Sequence, residues 1–299
     1  MEITLYDYQK QGIKDISASL KVGDKRVLYQ LPTGGGKSYI FCSMAKQAIE
    51  NGWTVIILTD RNELQEQAAG SLRAIGTEAM LINPSNSPKS LNGVLYCVMA
   101  QTLVRRLKKE LYQDWLKKKK LMVIIDEAHV GNSDFIHQHL GNKVVVIGVT
   151  GTPVRMGKPK YQLGSLYSKL VIGPSVRELI AKGRLTPCKY YGVPLDTKGL
   201  KVKGGDFAID EVIKKMDKPK LYSGAVKYWN KHAKGLKTIA FSAGIKNSIA
   251  LAKEFNEAGI KAVHMDSDNV TKAARKDLLA RFKRGEFTVL CKFASFKPR

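Results

Sequence analysis

The chain has 299 residues, 44% of them hydrophobic, and its 50 Lys and Arg exceed its 26 Asp and Glu to give a formal charge of +24. Its length predicts about two domains, and because no apolar run reaches the roughly 18 residues of a membrane span, no membrane partner is expected. Its four cysteines are far apart and its first residues do not resemble a signal peptide, which argues against a zinc site or disulfides. A reducing, cytoplasmic setting is favoured, with a nucleoid-associated location or a viral origin as alternatives.

Short apolar runs alternate with helix-like segments through the first half of the chain. The predicted strands are Arg26–Gln30, Thr54–Thr59, Gly93–Val98, Leu121–Asp126 and Lys143–Thr150. The predicted helices between them are Lys37–Asn51, Glu63–Ala74, Gln101–Lys118 and Ser133–Leu140. Continuous Val and Ile runs suit strands that are buried on both faces of a parallel sheet, so this alternation predicts an α/β doubly wound domain.

A second alternation follows Pro153. Its predicted strands are Lys189–Val193, Thr238–Ser242, Ala262–Met265 and Phe287–Cys291, and its predicted helices are Ser175–Lys182, Lys218–His232, Asn247–Ala258 and Lys272–Arg284. Gly157–Leu170 is predicted to be a linker or irregular connection, and Leu195–Phe207 a polar loop. These elements predict a first domain over residues 1–155, a connecting segment over 156–186 and a second domain over 187–299.

The charge is unevenly distributed between the two halves. Residues 1–150 have a net charge of +5, whereas residues 151–299 have a net charge of +19. The strongly basic second half favours a polyanionic partner such as nucleic acid. The alternative is a highly soluble surface with no specific partner.

The segment LPTGGGKS, Leu31–Ser38, follows a predicted strand and opens a predicted helix, as a phosphate-binding loop does. Its backbone N–H groups can close around phosphate oxygens, Lys37 is expected to reach the β- and γ-phosphates, and Ser38 is expected to hold Mg²⁺. The residues expected to bind the nucleotide are Thr33, Gly34, Gly35, Gly36, Lys37 and Ser38. Leu31 stands where the strict pattern has Gly, and a glycine-rich turn is the alternative interpretation.

Two further segments carry candidate catalytic and coupling residues at strand ends. MVIIDEAH places Asp126 to hold Mg²⁺, through water, and Glu127 to polarise the attacking water. The alternative is a pair of solvated carboxylates. In TGTP, the hydroxyls of Thr150 and Thr152 are expected to bond the carboxylates and the segment containing His129, as a relay between the nucleotide site and the domain interface. The alternative is a common turn.

In this order and spacing, GGGKS, DEAH and TGTP resemble motifs I, II and III of superfamily 2 helicases. The subgroup that they resemble contains type III restriction-enzyme helicase subunits and RadD-like DNA repair helicases. The resemblance runs through nearly the whole chain and implies two RecA-like P-loop domains with parallel sheets. It also implies ATP and Mg²⁺ as cofactors, catalytic roles for Lys37, Asp126 and Glu127, and nucleic acid as partner, with DNA favoured and RNA as the alternative.

Other segments extend the resemblance. LYDYQ resembles the adenine-reading segment with its characteristic Gln9, and Tyr6 stands where the subgroup usually has Arg and can stack on a base. LTDRNELQEQ resembles motif Ia, AQT the Ib region and TIAFSAGIKNS motif IV. ELIAKGRLTP matches a connecting segment of the subgroup. The resemblance implies nucleic-acid contacts at Thr59, Arg61, Gln101, Thr102, Ser242 and Lys246.

The chain departs from the family pattern after Phe287–Cys291, where motif V and the arginine-bearing motif VI are expected. The second domain is therefore expected to be incomplete, either because the chain is a truncated or frameshifted product or because another polypeptide completes it. The leading function is an ATP-dependent helicase or translocase that acts on DNA. The alternatives are a non-catalytic ATP- and nucleic-acid-binding module and one subunit of a multi-chain restriction or repair machine.

Overall fold

The structure, a computed structural model, describes residues 4–60, 62–74, 76–131, 134–155, 162–192, 198–203, 206–265 and 271–293. The chain divides into two compact units, Met1–Tyr190 and Tyr191–Arg299. Within the described residues, no helix combines the length and apolar character that a membrane crossing requires.

The first unit is built around a parallel sheet of seven strands. The strands are β1 (Arg26–Gln30), β2 (Thr54–Thr59), β3 (Met80–Ile82), β4 (Leu95–Met99), β5 (Leu121–Ile125), β6 (Val145–Thr150) and β7 (Lys169–Ile172). The helices are α1 (Asp7–Lys21), α2 (Lys37–Glu50), α3 (Asn62–Ala74), α4 (Ala100–Arg106), α5 (Glu110–Trp115), α6 (Asp134–His137), α7 (Leu163–Leu166) and α8 (Val176–Ala181). The strand order is β3-β4-β2-β5-β6-β1-β7, and every neighbouring pair is parallel.

The central strands are buried on both faces because their side chains alternate between two cores. In β1, Val27 and Tyr29 join the core that α1, α2 and α3 cover, while Leu28 joins the core that α4, α5 and α6 cover. This double burial explains the continuous Val and Ile runs of the sequence and holds the carboxyl ends of the strands in one row.

The second unit contains a three-stranded parallel sheet in the order β10-β12-β11. Its strands are β8 (Val202–Lys203), β9 (Asp206–Phe207), β10 (Thr238–Ser242), β11 (Ala262–Met265) and β12 (Val289–Phe293), of which β8 and β9 form a separate antiparallel pair. Its helices are α9 (Ile209–Met216), α10 (Pro219–His232), α11 (Ile245–Glu257) and α12 (Lys272–Arg284). Helices α10 and α11 cover one core, and α12 covers the other.

Most of the predicted strands and helices are present, but several segments differ from the sequence prediction. Gly157–Leu170 was expected to be a linker. Residues 156–161 lie outside the described part, but the rest contains α7 and the start of β7, which pairs with β1. The segment predicted as one helix, Gln101–Lys118, forms two, and no strand forms over the described residues 189–192. Helices α1 and α9 and strands β3, β8 and β9 were not predicted.

Candidate functional site

Three predicted motifs meet at the carboxyl edge of the first sheet because the strands that precede them are neighbours. Strand β6 lies between β1 and β5, with Gln30 beside Thr150 and Ile125 beside Gly148. Strand β1 leads into LPTGGGKS (Leu31–Ser38), called the glycine loop from here on, β6 leads into TGTP, and β5 leads into DEAH. The fold therefore brings together residues that are more than a hundred positions apart in the chain.

The backbone of the glycine loop leaves little room for a side chain at its glycine positions. Gly34 and Gly36 have φ angles of +83° and +85°, in the left-handed region that favours glycine. A Cβ at Gly36 would also lie 2.3 Å from Nε2 of Gln9, and one at Gly35 would lie 2.8 Å from Cγ of Leu31. The side chain of Leu31 is fully buried, so Leu at this position contributes to the core under the loop.

Lys37, the first residue of α2, directs its ammonium group into the space between the loop and DEAH. Its Nζ donates to the carbonyl of Leu31 at 3.4 Å and lies 3.9 Å from Oε1 of Glu127. A Cβ at Gly151 would lie 3.6 Å from this Nζ and 3.3 Å from Oγ1 of Thr33. A largely buried cation therefore stands among three strand ends, where an anion can replace its weak partners.

Asp126 comes directly after β5 and is poor in positive partners. Burial raises its pKa to about 6, and the neighbouring Glu127 adds to this rise, while the backbone N–H of Glu127 and the charge of Lys37 oppose it. No cluster of three His, Cys, Asp or Glu side chains suited to a metal occurs in the described part of the chain. Ser38, the other residue predicted to hold Mg²⁺, is half-buried at the start of α2.

Glu127 has an unusual backbone conformation. Its φ of 48° and ψ of 50° make it the one residue besides glycine with positive φ among the described residues. For a residue with a Cβ, this conformation costs about 1–2 kcal/mol. Its carboxylate contacts Lys37 through Oε1 and lies 3.4 Å from Nδ1 of His129 through Oε2. The carboxylate therefore lies between the lysine of the glycine loop and the histidine of DEAH.

A short polar chain links this carboxylate to TGTP. The hydroxyl of Thr150, which is fully buried, donates to the carbonyl of Thr152 at 3.0 Å and accepts from the N–H of Thr152. Since that hydroxyl hydrogen is already directed at a carbonyl, Nδ1 of His129, at 2.9 Å, must donate to the Thr150 oxygen. Thr150 thus contacts both His129 and the backbone of Thr152, whereas the prediction assigned a bond to the Thr152 hydroxyl.

Arg155 was not identified from the sequence, yet it lies at the centre of this region. Its guanidinium donates to the carbonyls of Ala128 and His129 at 2.5 and 2.8 Å and pairs with Asp134 at 2.5 Å. The arginine and the aspartate are 12% and 15% exposed. Arg155 therefore fixes the turn after Glu127 to the segment after TGTP. Its position two residues beyond Pro153 is the only sequence signal.

The predicted base-reading segment lies beside the glycine loop. Oε1 of Gln9 accepts from the N–H of Tyr6 at 2.9 Å, and Nε2 of Gln9 donates to the carbonyl of Gly35 at 3.3 Å. The guanidinium of Arg184 lies 3.7 Å above the ring of Tyr6, within the range of a cation–π contact. A guanidinium is therefore present although position 6 has Tyr, and the sequence prediction missed Arg184 because it is distant in the chain.

The residues predicted to contact nucleic acid in the first unit differ in exposure. Gln101 is exposed at the start of α4, whereas Thr102 and Thr59 are buried. Oγ1 of Thr59 has no hydrogen-bond partner among the described residues and lines a cavity of about 10 Å³ together with Asp126 and Glu127. Arg61 lies outside the described residues. In the structure, Thr59 therefore lies beside Asp126 and Glu127.

In the second unit, Ser242 ends β10 and is half-buried, while Lys246 is exposed in the first turn of α11. The two residues flank the short connection at the carboxyl end of a parallel strand. Their roles remain predictions, as do the roles of the other site residues and the domain boundaries.

Comparison with known proteins gives consistent similarities. The model of the family described as type III restriction enzyme, res subunit, matches residues 2–155. A 51.5 kDa protein of Lactococcus phage (isolate 7-9) is 31% identical over 268 residues, which cover 88% of this chain and 54% of that protein. A Saccharomyces cerevisiae protein provisionally named ATP-dependent helicase IRC3 is 29% identical over 309 residues, 96% of this chain and 44% of that protein. The chain spans about half the length of the curated relatives it matches.

Among solved structures, the Hef helicase domain of Pyrococcus furiosus superimposes with a TM-score of 0.59 at 16% identity, covering 97% of this chain and 88% of that domain. This similarity shows the fold, and it confirms the prediction of α/β P-loop domains of the RecA-like kind with parallel sheets. The family match includes the glycine loop, DEAH and TGTP and covers about half of the chain. The chain therefore belongs to the family of the type III restriction enzyme res subunit.

Proposed function

We propose that this chain is a helicase or translocase that binds ATP with Mg²⁺. It uses the hydrolysis of ATP to act on nucleic acid, specifically DNA. The observation that carries the proposal is the meeting of the glycine loop, DEAH and TGTP around Lys37. The name of the yeast relative, an ATP-dependent helicase, and the description of the family, a restriction enzyme, support this function and a DNA substrate.

In the proposed complex, the phosphates of ATP lie against the glycine loop. Lys37 Nζ exchanges its weak contact with a carbonyl for the β- and γ-phosphate oxygens, and the backbone N–H groups at the start of α2 add donors. Ser38 and Asp126 would hold Mg²⁺, which when bound neutralises charge on the phosphate oxygens. The elevated pKa of Asp126 fits this role because a cation stabilises the charged carboxylate.

Glu127 is the group that orients the attacking water. Its carboxylate lies 3.9 Å from Nζ of Lys37 and 3.4 Å from Nδ1 of His129, so an oxygen can accept a hydrogen bond from water and take its proton. His129, Thr150 and Thr152 connect that carboxylate to the end of β6. A movement at either end of this series of contacts would change the position of Glu127. In this way, we propose, ATP hydrolysis is coupled to contact with the nucleic-acid strand.

Recognition of the base is assigned to the segment beside the loop. Tyr6 and Arg184 provide flat surfaces for stacking, and Gln9 ties the segment to Gly35. The nucleic acid is proposed to contact the exposed side chains of Gln101 and Lys246, mainly through its phosphates. Contacts through Arg61, Thr59, Thr102 and Ser242 remain part of the proposal on the strength of the motif resemblance.

The first test is nucleotide binding by a Lys37→Ala variant. Calorimetry should show that the parent chain binds ATP in the presence of Mg²⁺, and that the variant binds at least about tenfold more weakly because the phosphates lose their main cation. Lys46→Ala is the matched control, since Lys46 lies on the same helix but is exposed. Equal ATP affinity in the parent and in Lys37→Ala would contradict the nucleotide site and the function built on it.

A further inference from the structure

Helix α10 has a strongly basic surface that the proposed nucleotide site does not use. The segment Lys218–Lys237 contains six lysines, and no acidic residue occurs between Asp217 and Glu254. Val226 and Trp229 turn one side of α10 into the core. The lysines of the segment are exposed: Lys218, Lys220, Lys227, Lys231, Lys234 and Lys237.

Three rings stack beside these lysines. Tyr228 and His232 are one helical turn apart on α10, with ring centroids 6.2 Å apart and planes 13° from parallel. On its other side, His232 stacks with Tyr191 at 3.9 Å and 28°. Tyr191 is 56% exposed and Tyr228 is 45% exposed. Large aromatic side chains left open to solvent, beside lysines that pair with no acidic residue in the described part of the chain, are unusual in a surface that only solvates the protein.

The pattern matches the needs of one ligand class. Lys220, Lys227 and Lys231 extend along about 16 Å of helix, long enough to face several successive phosphates of one strand. Exposed rings offer π-faces on which bases of any sequence can stack. A duplex would present its phosphates but keep its bases stacked inside, and an acidic protein would use the lysines without needing the rings.

We propose that this face of α10, formed by Lys220, Lys227, Lys231, Tyr228, His232 and Tyr191, binds single-stranded nucleic acid. The inference rests on the proposed nucleic-acid function and deepens it by assigning a strand-binding surface to residues other than the predicted motif contacts. Lysines hold the phosphates while bases stack on the tyrosines, so binding depends on salt and on the presence of bases but tolerates any sequence.

The test compares an ordinary oligonucleotide with an abasic strand of the same length. The parent should bind the ordinary strand more tightly, because the abasic strand has nothing to stack. The variant Tyr191→Ala/Tyr228→Ala should lose about fivefold or more in affinity for the ordinary strand and keep its affinity for the abasic one. The variant Tyr191→Phe/Tyr228→Phe keeps both rings and should bind like the parent.

Charge is tested separately. Lys220→Gln/Lys227→Gln/Lys231→Gln should flatten the slope of log affinity against log salt by about 2, because three phosphate contacts are lost. The matched control, Lys253→Gln/Lys261→Gln/Lys276→Gln, removes the same charge from exposed lysines elsewhere in the unit and should keep the slope of the parent. Thermal melting of each variant verifies that it is folded, and ultraviolet crosslinking of the parent to the strand should map to Tyr191 or Tyr228.

Several results would overturn the inference. One is discrimination between ordinary and abasic strands that survives the loss of both tyrosine rings. Another is a lysine variant whose salt dependence equals that of its control. If the lysine variant weakens both strands equally and the alanine variant changes neither, the face is a general polyanion surface and the assignment is wrong. A parent chain that binds no strand at all refutes the proposed nucleic-acid function itself, whereas the other outcomes refute only this surface.

Discussion

At the scale of single residues, the site depends on Glu127 being held in a conformation that it does not favour. The backbone turns into the left-handed region directly after β5, and from this position the carboxylate reaches both Lys37 and His129. Strain of this kind persists where surrounding contacts determine the conformation and is concentrated at functional sites. Here the surrounding contacts come from Arg155, which binds the two carbonyls that follow.

Replacing Glu127 by Gln should separate nucleotide binding from hydrolysis. Gln has the same shape but cannot accept a proton from water, so we expect ATP affinity to remain and turnover to fall by at least about a hundredfold. Phosphate-release kinetics beside calorimetry will measure this. Glu110→Gln, an exposed change in the same unit, should leave both quantities unchanged. Turnover equal to that of the parent in Glu127→Gln would mean that another group activates the water.

The sequence predicts some of these residues and not others for a definite physical reason. Lys37, Asp126 and Glu127 stand in short segments whose spacing alone indicates phosphate and metal chemistry. Arg155 and Arg184 act through contacts with residues far away in the chain, and a single arginine in a loop has no local pattern. Such contacts are set by tertiary packing, which the order of residue types in one segment does not determine.

At the scale of secondary-structure elements, the site is formed by the carboxyl ends of β1, β6 and β5, which lie side by side because β6 pairs with both neighbours. Strand β6 hydrogen-bonds to both β1 and β5, and Arg155 and the His129–Thr150 bond connect the turn after β5 to TGTP. We propose that these contacts transmit a shift of that turn to TGTP. The ion pair between Arg155 and Asp134 also anchors α6 to this turn. We therefore propose that the arginine positions the carboxylate of Glu127.

The conservative change Arg155→Lys should expose this positioning role. Lysine keeps the charge, but its compact ammonium group cannot serve two carbonyls and a carboxylate in the fixed geometry of the guanidinium. We expect kcat for ATP hydrolysis to fall by about tenfold, with KM for ATP nearly unchanged, in steady-state kinetics. Arg105→Lys, an exposed arginine on α4, is the control. A lower melting temperature with unchanged kcat would show that Arg155 only supports the fold.

The bounds of strands with a continuous apolar run were predicted closely from the sequence. Strands that are recognisable only by their hydrogen-bonded pairing with a neighbouring strand were not predicted. Strands β1, β2 and β10 have the predicted bounds because their apolar runs are self-contained. Strand β7 is short and exposes three of its four residues, so only its pairing with β1 identifies it. Helix α1 contains Gly12 within its span and presents only a narrow apolar side.

At the scale of the whole molecule, charge is the property that composition alone predicts. The formal charge of +24 arises mainly from residues 151–299, which carry a net +19. Many of these charges are exposed lysines, as on α10. Long-range attraction of this size draws polyanions to the surface but carries no sequence information.

Binding of a single strand by the whole chain should therefore depend steeply on salt and little on sequence. Each phosphate that a lysine or arginine neutralises releases counterions, and about six such contacts would lower the affinity by about 10²–10³-fold between 50 and 200 mM salt. Titration of labelled mixed-sequence strands at several salt concentrations gives the slope, from which the number of contacts follows. Strands of unrelated sequence and equal length should bind within a few fold of one another, because phosphates are common to all of them. A nearly flat salt dependence, or a strong preference for one sequence, would show that base-edge recognition rather than charge holds the strand, and the electrostatic account of the basic second half would then be wrong.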